Sequence, residues 1–218
     1  FAIRPIMQGS AANTVTQLGA LANWIVTLFD VMADEKPDDV FSIEALHRIR
    51  DGGTAVALPA DPGEHCMAWL VAQYFDTLSQ LPFAVRRSSV SAFIGRVIDT
   101  MYAAEFSTIR RSIMPSPWAV RRKSALPFVV MSLPVWLCIE AMDADRFFWH
   151  LRWSYRLGCF LGWIDDAVDL EVDIQTGDAN QIRQRLAADD SSDSVHRVAK
   201  DIARLGARLQ EDWRQRAT

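Results

Sequence analysis

The sequence is short of most features that announce a function directly. Its three cysteines, Cys66, Cys138 and Cys159, are odd in number and far apart, and no CxxC pair occurs. A reducing, cytoplasmic setting fits this better than a disulfide scaffold. The histidines His47, His65, His150 and His196 show no ligand spacing to one another or to cysteine, which argues against zinc. A basic excess is also missing: the formal net charge is −4, so the chain lacks the electrostatic footprint of a nucleic-acid binder. No run of about 18 or more apolar residues is free of charge and proline, so no membrane span is predicted. The nearest approach, Ala125 to Ile139, is interrupted by Pro127 and Pro134. Strand-like alternation and internal repeats are absent as well. Phe1 opens the chain without a basic n-region or a cleavage site, so the sequence reads as a piece lacking N-terminal residues.

What is present is apolar periodicity. Half of the 218 positions are apolar, enough to bury one core, so residues 1–218 are expected to form one all-α domain. The patterns predict helices over about Ala11–Ala33, after Ser42, over Pro62–Leu81, Arg86–Arg111 and Pro117–Cys138, from Asp143 to Gly177, and over Ser194–Arg216. Kinks are expected at Pro127 and Pro134. Asp189-Asp-Ser-Ser-Asp reads as an exposed loop.

Two of these helices end in acid. In the stretch Gly158–Asn180 an apolar run gives way to Asp165, Asp166, Asp169 and Asp173. At 3.6 residues per turn these side chains share one helix face. Aspartate is a poor helix former and like charges at this spacing repel, so propensity does not account for the stripe. Two readings fit it: a solvated acidic face, or a site for a hard divalent cation that neutralises the carboxylates. Tyr155, Gly158 and Gly162 lie on the same azimuth. Glycine inside a helix costs about 1 kcal/mol against alanine, so this pair implies close backbone approach or a cavity. In the first helix Asn23, Thr27, Asp30 and Asp34 recur at spacings of 4, 3 and 4 beside Leu, Trp, Ile, Val and Phe. A helix apolar nearly all round is buried, so this stripe is expected to face an interior pocket, the other reading being a solvated helix end. Two carboxylates about 4 Å apart repel by roughly 1 kcal/mol in water and about 4 kcal/mol at an effective dielectric of 20. Facing acidic ends therefore call for cations. Magnesium binds through one or two carboxylates per ion and is completed by phosphate oxygens, which predicts a phosphorylated substrate. Arg110-Arg111 and Arg121-Arg122-Lys123 flank the break at Met114-Pro-Ser-Pro and supply fixed positive charge, unless they are solvated turns.

These residues carry a resemblance. Asp165-Asp-Ala-Val-Asp169 resembles the DDxxD motif of class I isoprenoid synthases, and Asp30 stands 135 residues upstream, about where that all-helical fold has its first aspartate-rich motif. Phe29-Asp-Val-Met-Ala-Asp34-Glu is similar to the DxxxD form of the class IB "large" terpene synthases, as is Trp163 to Asn180 to their second acidic stretch with its trailing Gly-x-x-Asn. The match covers most of the chain in order. It departs from trans-prenyl diphosphate synthases, which carry DDxxD in the first motif and a Lys after the equivalent of Gly177. The resemblance implies a single helical bundle with a central cavity and Mg2+-dependent ionisation and cyclisation of a prenyl diphosphate. About three Mg2+ ions would be held with the substrate diphosphate by Asp30, Asp34, Asp165, Asp166, Asp169 and Asp173. Lys123-Ser-Ala resembles the step that holds diphosphate in prenyl synthases, which implies catalytic roles for Lys123 and Arg111. Substrate contacts are expected from Asn23, Thr27, Arg110, Tyr155, Gly158 and Gly162. Trp24, Phe29, Tyr74, Phe75, Phe93, Tyr102, Phe106, Trp136, Tyr155 and Phe160 are candidate aromatic walls for a carbocation, with core packing as the alternative for each. A homodimer is among the expected assemblies. The rival functions are chain elongation by a prenyltransferase and a non-catalytic helical interaction domain.

Overall fold

The computed structural model describes residues 10–35, 47, 61–81, 87–109, 116–138, 143–188 and 191–216. Among them every regular element is a helix: α1 Ser10–Glu35, α2 Pro62–Ser79, α3 Arg87–Ile109, α4 Pro117–Leu137, α5 Ala144–Val168, α6 Leu170–Thr176, α7 Gln181–Ala187 and α8 Ser194–Arg216. The protein is all-α. The helix expected after Ser42 lies outside the described residues apart from His47, which is helical and bonds Asp99 at 2.9 Å.

The boundaries follow local chemistry. Asp61 caps α2 by accepting from the Gly63 and Glu64 backbone N–H groups, with Pro62 at the first helical position, where its missing N–H costs nothing. Asp143 accepts from the Arg146 N–H at 2.7 Å to open α5. Although α4 contains Pro127 and Pro134, it runs uninterrupted to Leu137. Burial of Ala125, Val129, Val130, Leu133 and Val135 on that helix offsets the lost backbone bonds. The long helix expected from Asp143 to Gly177 bends once. Asp169 adopts φ −92° and ψ 1°, splitting α5 from α6, while Asp169 N–H to Asp165 O and Asp173 N–H to Asp169 O, both 2.9 Å, carry the ladder across. Gly177 closes α6 at φ 84°, the left-handed conformation that costs glycine least.

The chain divides into two compact units, Phe1–Asp99 with Val130–Phe148, and Thr100–Val129 with Trp149–Thr218. In the first, α1 packs on α2; Val15, Leu18, Ala22 and Phe29 are buried on α1, and Met67, Leu70, Val71, Tyr74 and Leu78 on α2. Met32 lies over Gly63, so the two helices run antiparallel. Both sets recur at helical spacing, and each buried side chain stabilises the pair by roughly 1.5–3 kcal/mol. Contrary to the expected buried surround, α1 is amphipathic: Asn13, Thr16, Gln17, Ala20, Asn23, Trp24, Thr27, Asp30 and Val31 form its exposed face. The segment Ala11–Met32 is also long and apolar enough to cross a membrane by length and composition, with a mean hydropathy of 1.3 and 28% of its most apolar window buried. The sequence alone points instead to Ala125–Ile139 as the nearest approach to such a run.

In the second unit α5 is the organising element. It receives α4 at Gly158 and Gly162, α7 and α8 through Trp163 packed with Ile182 and Val198, and the far end of α8 through Trp153, whose indole N–H donates to the Leu209 carbonyl at 3.3 Å.

Candidate functional site

The acidic stripe of α5 and α6 separates into two pairs. Asp165 and Asp169 are exposed, whereas Asp166 and Asp173 are half-buried and turn toward the start of α7. The left-handed turn at Gly177 sends the chain back along α6, and Asn180 returns to the acids. Its Nδ2 donates to the Asp173 Oδ2 and to the Asp166 backbone carbonyl, both at 2.7 Å. Its Oδ1 accepts from the Arg183 N–H at 3.0 Å and so caps α7. Gln181 adds two bonds to the Asp166 Oδ2, from its backbone N–H at 3.1 Å and from Nε2 at 2.9 Å. Arg183 donates to the Asp173 and Asp178 carbonyls and closes the turn.

Burial dominates the electrostatics here. It lifts the Asp166 carboxyl to about 6, against the pull of the Gln181 bonds and with a smaller push from Asp173 and Asp165. A carboxylate that is costly to ionise beside another carboxylate is a place where a cation lowers the energy.

Gly158 and Gly162 do not open a cavity. A Cβ on Gly158 would fall 2.7 Å from the Ala125 Cα and 2.8 Å from its carbonyl oxygen, and one on Gly162 would fall 2.3 Å from the Ser124 Cβ. The glycines let α4 lie directly on α5. This seam places Lys123 in the second unit, where its ammonium is 3.4 Å from the buried Glu105 carboxylate. Tyr155 is half-buried and hydrogen-bonded to Cys159. Burial and the neighbouring Cys159 push its hydroxyl up, while Arg121 and Arg122 pull it down. Arg110 and Arg111 lie outside the described residues.

On α1 the expected pocket-facing stripe is a surface stripe. Asn23, Thr27 and Asp30 are exposed beside Trp24, which is 62% exposed. The reason is the packing side: Val15, Leu18, Ala22 and Phe29 form the buried face of α1, which leaves the polar side outward. Asp34 lies in the last turn of α1; its side chain is outside the described residues. Most candidate wall aromatics have packing partners: Tyr74 meets Phe75 edge-on, Phe93 tilts against Phe147, Tyr102 stacks on Phe106, and Phe160 covers Gly206. Phe29 and Trp136 are buried.

The short helix α7 and the roles of Asn180 and Gln181 escaped the sequence reading. The available signal was Asn180 followed by an apolar-periodic run, an N-cap three residues beyond a terminating glycine. Among the described residues no group of three or more His, Cys, Asp or Glu side chains is arranged to hold a metal ion. The Asp166 and Asp173 pair nevertheless offers hard oxygens of the kind Mg2+ takes, and that ion needs only one or two of them from protein. The chain matches no protein-family model, no curated protein and no solved structure.

Proposed function

We propose that the protein is a Mg2+-dependent enzyme that ionises a prenyl diphosphate, a class I isoprenoid synthase of the cyclising kind, built as a helical bundle around an active-site cavity. The observation that carries this reading is the bonding of Asn180 to the acidic helix. The Gly-x-x-Asn tail and the acidic stretch, which the resemblance pairs in sequence, act as one local structure through the Asn180 Nδ2 contacts at 2.7 Å.

In this reading Asp166 and Asp173 hold metal, with Asp165 and Asp169 on the exposed side and Asp30 and Asp34 as the first motif. The metal supplies charge neutralisation for the departing diphosphate. The chain's own residues set the geometry. Gln181 holds the Asp166 Oδ2 through two donors. Asn180 holds the Asp173 carboxylate and keeps α6 from fraying. Glu105 orients the Lys123 ammonium, the cation proposed together with Arg111 to bind diphosphate oxygens.

A second reading has its own support. Asp166 and Asp173 already staple α6 to α7, and the α1 polar stripe is exposed. A non-catalytic helical domain would need no more. Thermal melting with Mg2+ and pyrophosphate separates the two, since a ligand that binds only the native state raises its stability. The enzyme reading predicts a rise that needs both ligands and disappears in Asp166→Asn; no rise with the pair present supports the structural domain. Elongation is tested by adding isopentenyl diphosphate to geranyl diphosphate, where longer prenyl chains would replace the cyclase reading. An Asp30→Asn variant with an unchanged rate would remove α1 from the mechanism.

A further inference from the structure

More than two helical turns before Asp166, the second unit holds a cleft that the proposed chemistry does not use. It lies between α5 and α8, has a volume of about 210 Å3, and is lined by Trp149, Arg152, Trp153, Arg156, Asp212 and Gln215. The α5 residues stand at i, i+3, i+4 and i+7, one stripe of the helix. Trp213 of α8 stacks on the Trp149 ring at 6.2 Å and tilts against Trp153 at 4.7 Å, which fixes both indoles. We infer that this cleft is a binding site for a small aromatic anion, a single ring carrying a carboxylate or phosphate.

Charge chooses the sign of the ligand. Two guanidiniums and one carboxylate line the cleft, so its lining is net positive. The carboxylate, on Asp212, pairs with Arg156 at 2.6 Å on an exposed surface, where an ion pair is worth little and can be exchanged for another anion. Guanidinium forks match flat oxyanions in two-point contacts, and indole faces accept a ring. Size narrows the class further. The cleft is smaller than the roughly 300–1,000 Å3 typical of drug-sized ligands, which leaves room for one ring and one charged group and excludes a prenyl diphosphate. The inference is therefore independent of the function proposed above.

The test is a titration of the full chain with phenyl phosphate, following the indole N–H signals of Trp149 and Trp153 by NMR. Phe substitutions at each position assign the signals. A saturable shift is expected, together with weaker binding of inorganic phosphate. Arg152→Gln, an exposed position, should weaken binding about tenfold, the loss expected for one charge-assisted hydrogen bond. Asp212→Asn should tighten it by releasing Arg156. No saturable shift by about 10 mM, a weak limit for so small a ligand, would overturn the assignment. So would loss of binding in Asp212→Asn with tetramethylammonium taking the cleft in the wild type, because the site would then be an aromatic cage for a cation. Equal affinity for inorganic phosphate would overturn the aromatic part.

Discussion

Asp166 is the residue whose environment makes the sharpest demand. Its carboxyl sits at about 6 chiefly because of burial, above the ordinary aspartate value. A raised acid pKa means that the folded state binds the proton more tightly than the unfolded chain. The native state therefore gains from Asp166 at low pH and loses that gain as pH rises from about 4 through about 6. Asp166→Asn removes the charge and keeps an acceptor for Gln181. Without metal, the variant should melt at or above the wild-type temperature at pH 7.5, and the difference should shrink as pH falls through about 6 and vanish near pH 4. A melt in which Asp166→Asn is less stable at pH 7.5 than at pH 5, relative to wild type, would contradict this assignment. Tyr74 makes a second demand: its hydroxyl is buried with no hydrogen-bond partner among the described residues, and burial pushes its pKa up. Tyr74→Phe removes an unsatisfied group at almost no cost in packing, so urea unfolding should show a gain of about 1–3 kcal/mol. Sequence could flag Asp166 as one of four acids. It could not show that Asp173, rather than Asp169, shares a partner with it, because that depends on Asn180 returning across a turn set by Gly177.

At the scale of elements, the helix pattern was legible because apolar periodicity and the Pro, Gly and Asp boundaries agree for α1 to α5 and for α8. The seven-residue helices α6 and α7 were not separable, since one bend at Asp169 and one cap at Asn180 leave little periodic signal. The glycines of α5 illustrate a second limit: their presence showed that something comes close, and only the fold identified the backbone of Ala125 and the side chain of Ser124. Two substitutions of the same kind should consequently have opposite signs. Gly162→Ala gains about 1 kcal/mol in helix propensity but forces α4 away from α5, for a net loss of about 1–3 kcal/mol. Gly19→Ala in α1 meets nothing within 4 Å and should gain about 1 kcal/mol. Chemical denaturation of both variants checks the pair, and a stabilised Gly162→Ala would mean that the α4–α5 seam is looser than described. Asn180→Ala loses the α7 cap together with the bonds to Asp173 and the Asp166 carbonyl. It should cost about 2–4 kcal/mol, read in the same way.

For the whole molecule, the all-helical class followed from composition and periodicity, whereas the facing of α1 did not. Its stripe of Asn23, Thr27 and Asp30 was consistent with either side, because Leu, Val and Phe flank the polar positions all round. Burial of the face carrying Val15, Leu18, Ala22 and Phe29 decided for exposure. The proposed function consequently rests more on the second acidic segment than on the first, and within it on Asp166, Asn180 and Asp173. The measurement that bears on it most directly is pyrophosphate release from geranyl, farnesyl and geranylgeranyl diphosphates, with and without Mg2+, followed by analysis of the organic products. The account predicts release from at least one substrate, dependent on Mg2+, giving a cyclic hydrocarbon or alcohol and falling at least about a hundredfold in Asp166→Asn. Release that is absent for all three substrates with Mg2+ present, from a folded wild-type chain, would contradict it.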